Sequence, residues 1–314
     1  MRADATLGGG RAVWADGLRS STRIAAVQAL LDRRAAAVRA KDKAAFLADV
    51  DRADPDFVRR QEVTYQNLVG LQLAEFSYHV EPTISYQKLI IQRYLIQFHA
   101  VVYAPAVTVR HTVAGVDSRP VTTPWVPVLG HSGDHWVIAG EVTDKTLPYG
   151  TNGQPWDAGP ITVVRSRRVT AVFSTEDSGR SDYLLQLAER GLDRVVAVRP
   201  AGWDGKVVVT VVQDRRIFDT YFASSPDRIA QVAAIAVPYY DRILDWSDDA
   251  TFASTRVVFN PQQLSAQPEE LLHDLAHEFA HAAMGPVTAE QTPRWLVEGF
   301  AEYVAYKSEQ VPAA

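Results

Sequence analysis

Two histidines and a carboxylate lie close together in the stretch His277-Glu278-Phe279-Ala280-His281. If this stretch is helical, the imidazoles are four residues apart and project from the same side, so both can bind one ion. Glu278 is rotated by about 100° from His277, which puts it at the rim of such a site, where a base can take a proton from water. The spacing therefore predicts a metal site with an adjacent general base.

A second helix would complete the ligand set. Glu298 and Glu302 are four residues apart in the run Trp295–Tyr303, and Thr292-Pro293 has the composition of an N-cap and first turn. The short linker lets this helix fold back against the first, and Gly299 would let the two backbones approach closely. We expect Glu298 to be the third ligand of a Zn²⁺ ion and Glu302 to accept the free ring N–H of a ligand histidine.

Composition excludes other classes of function. The net charge of -5 gives no electrostatic footprint for nucleic acid. The chain has 0 cysteines, so a metal must be bound by His, Asp or Glu. No stretch approaches the ~20 apolar residues of a membrane span, and Met1–Arg11 lacks the apolar core of a signal peptide. The sequence does not indicate an oligomeric state.

Helical patterns precede strand patterns in the first half of the chain. Apolar residues recur at helical spacing over Ser21–Ala40, Asp42 can cap a short helix, and Asp54-Pro55 begins a helix that ends at Gly70. Five segments rich in β-branched and aromatic residues then predict strands: Leu71–Val80, Lys88–Val102, Ala106–Val113, Thr122–Leu129 and His135–Val142. This order predicts an α+β domain with a curved sheet packed on helices.

Residues 144–160 are rich in Pro and Gly and are the expected linker to a second, mixed domain. A helix is expected from Ser181 to about Val198, and a metal-binding helix from Pro268 to the stop at Gly285-Pro286. Expected strands are Ile161–Val164, Val169–Phe173, Lys206–Gln213 and Arg256–Phe259, with a strand or strand–helix boundary at Ile229–Val237.

Two family resemblances follow from these patterns. Residues 20–143 resemble the cone-shaped nuclear transport factor 2-like fold. His277-Glu278-x-x-His281 followed by Trp295-Leu296-x-Glu298-Gly299-x-Ala301 resembles the gluzincin metallopeptidases, the thermolysin-like and aminopeptidase-like clan. The resemblance implies a zincin-like peptidase domain over 161–314, with Zn²⁺ bound by His277, His281 and Glu298, Glu278 as catalytic acid/base and a peptide or protein as substrate. It also implies that Glu302 supports His277 and that the strand Arg256–Phe259 lies near the sheet edge that binds an extended substrate.

The same resemblance extends to actinobacterial envelope or secreted proteins that pair these two domains, which implies a secreted or cell-envelope location. Gluzincins usually continue into a helical subdomain that donates a Tyr or His to the developing oxyanion, so we expect the peptidase domain to be truncated at its C-terminus. Two alternatives stay open. The chain could be a catalytically incomplete zinc-containing binding protein that captures its ligand in the N-terminal domain, or that domain could cover the peptidase cleft.

Overall fold

The computed structural model describes residues 21–117, 119–142, 154–199, 201–211, 232–243, 249–289 and 291–307. Its α-helices are α1 (Ser21–Ala40), α2 (Lys43–Leu47), α3 (Pro55–Gly70), α4 (Gln92–Gln97), α5 (Ser181–Val196), α6 (Pro268–Met284) and α7 (Arg294–Tyr306). Its strands are β1 (Leu73–Ser85), β2 (Val102–Tyr103), β3 (Pro105–Val113), β4 (Val121–Trp125), β5 (Pro127–Ser132), β6 (His135–Glu141), β7 (Ile161–Arg165), β8 (Val169–Ser174), β9 (Val207–Val211), β10 (Ala234–Tyr240) and β11 (Phe252–Phe259). Helices and several sheets occur together, so the fold class is α+β, as expected.

The described chain divides into two compact units. The first contains 21–62, 76–110 and 123–142, and the second contains 63–75, 111–122 and the described part of 152–314. The division therefore does not follow one linker, because two short segments of the N-terminal half belong to the second unit. Most of the expected linker 144–160, namely residues 144–153, lies outside the described residues. No described helix has the length and apolar character needed to cross a membrane.

In the first unit, strand β5 pairs antiparallel with β2 and with β6, and Ser132 faces His135 at the β5–β6 hairpin. A further sheet has the order β1-β3-β4. The expected strand Lys88–Val102 is wrong: it contains a 3₁₀ turn, Gln87–Leu89, and helix α4. Ile90, Tyr94 and Phe98 are buried, whereas Gln92 and Ile96 between them are exposed; a strand would place all five side chains on one face.

The second unit is built on a five-stranded sheet of order β10-β11-β9-β8-β7. Strand β9 pairs parallel with β8 and β11, while the antiparallel strands β10 and β7 are the outermost strands of the described part of the sheet. All five residues of Val207–Val211 are buried, as expected for a β-branched central strand that is covered on both faces. Alternate residues of the sheet share one apolar core with α5, α6 and α7, so these helices are held against the sheet.

Candidate metal centre

Helix α6 carries the first two candidate ligands, and its bounds follow from local sequence signals. Gln267 and Glu270 form a reciprocal capping box around Pro268, and the helix ends at Met284, before Gly285. Its apolar face is buried in the core of the second unit and fixes the rotation of the helix. The opposite side, which carries His277 and His281, is only partly buried.

The structure brings three candidate ligand atoms together. His277 Nε2 lies 3.1 Å from His281 Nε2, and Glu298 Oε2 lies 3.4 Å from the first nitrogen and 3.5 Å from the second. Tetrahedral Zn²⁺ with bonds of about 2.0–2.1 Å holds its ligand atoms about 3.3–3.4 Å apart. The three atoms therefore already have the spacing of three corners of a zinc tetrahedron, and two nitrogens with one carboxylate oxygen suit a borderline cation such as zinc.

Glu302 lies beside His277, on the side away from this triangle. Its Oε2 is 3.1 Å from His277 Nδ1. A carboxylate oxygen accepts, so Nδ1–H donates, and the ring tautomer that carries its hydrogen on Nδ1 has its lone pair on Nε2. Glu302 thus selects the tautomer of His277 that can bind a cation.

Glu278 lies next to the triangle and faces strand β10. Its carboxyl accepts a hydrogen bond from the backbone N–H of Ala236. Burial raises the pKa of Glu278 to about 8, against the opposing effect of the Ala236 N–H, and the carboxylates of Glu298 and Asp274 raise it further. Burial also raises the pKa of Asp274, one turn earlier on α6. In metal-free protein at pH 7 the Glu278 carboxyl is therefore mostly protonated.

His281 has the opposite shift. Burial lowers its pKa, the neighbouring His277 lowers it further, and Glu298 partly offsets both effects. Since the ordinary pKa of histidine is about 6.5, His281 is mostly neutral at pH 7, and the neutral imidazole is the form that binds a cation.

Strand β10, the outermost described strand on this side of the sheet, lies next to the site, and no sequence pattern had placed it there. The strand expected near the edge, Arg256–Phe259, belongs to β11, one position further inside the sheet. Pro238 gives a sequence signal for the edge, because proline has no N–H to donate and occurs in sheets mainly on edge strands. Pro238 and Ala236 are two residues apart, so both direct their backbone groups away from β11.

Helix α7 begins at Arg294, and two expectations about it are wrong. No side chain caps it; Thr292 Oγ1 accepts a hydrogen bond from Ala289 N–H in the preceding loop instead. Gly299 does not allow a close helix approach, because a Cβ there would meet nothing within 4 Å. Close packing against α6 occurs at Gly191 of α5, where a Cβ would lie 3.3 Å from Ala276 N.

Other polar and aromatic groups border the site. His273, one turn before His277, packs its ring 4.3 Å from that of Tyr306. Arg294 Nε lies 3.7 Å from Glu298 Oε1, the carboxylate oxygen that does not face the two histidines. Tyr303 and Tyr306 are both exposed on the helix that carries Glu298.

Comparison of the chain with protein-family models, with curated proteins and with solved structures gave no match. The function is therefore inferred from the geometry of the site and from the sequence pattern.

Proposed function

We propose that the second unit hydrolyses peptide bonds as a zinc-dependent, gluzincin-type metallopeptidase. The observation that supports this most directly is the triangle of His277, His281 and Glu298, with ligand atoms 3.1–3.5 Å apart and a protonatable carboxyl beside it. We also propose, from the sequence resemblance, a nuclear transport factor 2-like arrangement for the first unit, a zincin-like one for the second, and a secreted or cell-envelope location.

The ligand residues would hold Zn²⁺ through two neutral imidazoles and one carboxylate. Glu302 supports this by keeping the lone pair of His277 on Nε2. When bound, Zn²⁺ supplies Lewis acidity, which polarises a substrate carbonyl and makes water more acidic.

Glu278 is the proton carrier in this proposal. Its carboxylate takes a proton from the attacking water and returns it to the leaving amine nitrogen. A positive charge beside a carboxyl lowers its pKa. The pKa of Glu278, about 8 without a cation, therefore falls when a cation is held nearby, and the carboxylate form that results can accept a proton.

Strand β10 supports a peptide as the substrate. The backbone groups of Ala234 and Ala236 point away from β11, on the side of the strand that reaches Glu278. An extended peptide can add to such an edge as one more strand, with main-chain hydrogen bonds that do not depend on its sequence. A substrate bound along β10 would pass the Glu278 carboxyl.

A second candidate function is that of a zinc-containing, catalytically incomplete binding protein, with ligand capture in the first unit. A groove of about 380 Å³ between α1 and the β5–β6 hairpin favours it, because this volume suits a small ligand. Its lining residues are Thr22, Arg23, Ala26, Ala29, Leu30, Arg33, His131, Asp134, His135 and Trp136.

Two measurements on the full chain decide between these functions. Elemental analysis after dialysis should give one zinc per chain, and a peptide-library digest should show cleavage by the wild type. Glu278→Gln should keep the zinc and lose at least about 10²-fold in cleavage rate, since it removes the proton carrier. The exposed acid Glu269 on the same helix gives a matched control, Glu269→Gln, which should behave as wild type. Absence of zinc would refute both functions; zinc without cleavage would leave only binding.

A further inference from the structure

Asp117 is a buried carboxylate that the proposed function does not use. Its side chain is 0% exposed, and that of its partner Arg256 is 8% exposed. The pair is bidentate, with 2.6 Å from Arg256 Nη1 to Asp117 Oδ1 and 2.6 Å from Nη2 to Oδ2. Ser254 Oγ donates to Asp117 Oδ1 at 2.9 Å. Burial raises the pKa of Asp117, but Arg256, Val113 N–H and Ser254 outweigh it, so that the pKa is lowered and the group stays charged.

A tight turn presents this carboxylate. The N–H groups of Val116 and Asp117 both donate to the carbonyl oxygen of Val113, and Val113 N–H donates to Asp117 Oδ2 at 2.7 Å. Gly115 makes the turn possible because it has a positive φ of 75°. The sequence indicated only a turn at Ala114–Asp117. In the structure Asp117, the last residue of this turn, binds Arg256 in strand β11 of the second unit.

Segment 111–122 also binds the edge strand. Thr122 Oγ1 donates to the carbonyl oxygen of Tyr240 at 3.0 Å, at the end of β10. Arg256 lies in β11 directly opposite Val237, and Val257 lies opposite Ala236, whose N–H is bonded to Glu278. The segment 111–122 therefore contacts both strands. It binds β11 at Arg256, the neighbour of the residue that lies opposite Ala236, and it binds β10 at Tyr240, the last residue of that strand.

We propose that Asp117 is a positioning residue for the candidate site: by binding Arg256 it holds β11 and β10 where the Ala236 N–H can orient the Glu278 carboxyl. This inference builds on the proposed role of Glu278, but the contacts that carry it do not depend on peptide hydrolysis. It predicts that loss of Asp117 loosens β10 while the ligand triangle on α6 and α7 keeps its geometry.

The test is hydrogen–deuterium exchange by mass spectrometry on the full chain, wild type against Asp117→Asn. Exchange in peptides covering 234–240 and 252–259 should become at least about tenfold faster, while peptides covering α6 keep their protection. Zinc stoichiometry should not change, because no ligand residue is touched. If the protein cleaves peptides, the kcat should fall and Asp117→Glu should restore part of it.

Glu189→Gln is the matched control, because it makes the same chemical change at an ion pair of the same unit. Arg168 Nε lies 2.6 Å from Glu189 Oε2, and this pair involves neither β10 nor β11. Glu189→Gln should not accelerate exchange in β10. If Asp117→Asn fails to fold, Thr122→Val, which removes one hydroxyl without changing volume, should still accelerate exchange in 234–240.

The inference is overturned if exchange in β10 is unchanged in both Asp117→Asn and Thr122→Val, or rises equally in the Glu189→Gln control. Neither result bears on whether zinc is bound or peptides are cleaved. Conversely, a chain without zinc or without cleavage can still show the exchange pattern. Failure of the positioning role and failure of the proposed function are therefore separate results.

Discussion

Binding of Zn²⁺ to metal-free protein at pH 7 should displace a proton from Glu278. The pKa of this carboxyl is about 8 without a metal, so about 0.9 of the molecules carry the proton at pH 7. The negative charge of Glu298 raises the pKa of Glu278, whereas a divalent cation held by Glu298 would lower that pKa. The bound state therefore holds fewer protons, and zinc affinity should rise with pH.

The expected size of the effect follows from this proton count. Glu278 should contribute about 0.9 proton per zinc at pH 7, about 0.5 at pH 8 and about 0.1 at pH 9. Near pH 7 its contribution to affinity should be close to eightfold per pH unit, because the dependence of log Kd on pH equals the number of protons released. His281 should contribute little at pH 7, because its pKa is lowered.

Isothermal titration calorimetry in buffers of different ionisation enthalpy measures the released protons. Glu278→Gln isolates the contribution of Glu278, since the amide cannot titrate, and the wild type should release about 0.9 proton more at pH 7. Glu269→Gln, with its exposed acid on the same helix, should release as many protons as the wild type. Equal release by wild type and Glu278→Gln would refute the argument that burial holds Glu278 protonated.

Three further predictions concern stability and metal affinity. Glu278→Gln should stabilise the metal-free protein by up to about 3 kcal/mol at pH 7. The pKa of Glu278 is higher in the folded than in the unfolded protein, so the stability of the wild type falls as pH rises from about 4.5 to about 8. Urea unfolding at several pH values would reveal this difference. Glu302→Gln should weaken zinc binding about 10–100-fold in a competition with a chromophoric chelator, whereas a change below about threefold would show that Glu302 does not orient His277. Gly299→Ala should raise the unfolding free energy by about 0.5–1 kcal/mol, because a Cβ there meets no other atom and alanine favours a helix. Gly191→Val should lower the unfolding free energy by about 1–3 kcal/mol, because the side chain would overpack against α6. The opposite order of stabilities in thermal melts would contradict the packing.

Local signals were enough to predict the helices near the site. Pro268 and Gly285-Pro286 bound α6 because proline fits a first turn and the Gly-Pro pair cannot continue a helix, and the structure confirms these bounds. The ends of α3 were predicted for similar reasons, from Pro55 in its first turn and Gly70 at its end. The α+β class also followed from the sequence, because it depends only on which patterns occur along the chain.

Features that depend on distant partners were not predictable. Around α4, β-branched and aromatic residues suggested a strand, but Tyr94 and Phe98 are buried while Ile96 between them is exposed, which the period of two of a strand does not allow. Gly299 shows the same difficulty, since only the packed structure reveals that nothing approaches it. Asp117 looked like a turn residue because its partner Arg256 is 139 residues away.

The second unit contains three separate segments of the chain, and this affects how the chain can fold during synthesis. Asn67 Oδ1 accepts a hydrogen bond from the N–H of Ile161, which follows it by 94 residues. Asp117 pairs with Arg256, which follows it by 139 residues. Because chains are made from the N-terminus, these polar groups exist long before the groups that satisfy them. The second unit is therefore completed only after β11 has been made, and a ribosome stalled before β11 would carry Asp117 without its counter-ion.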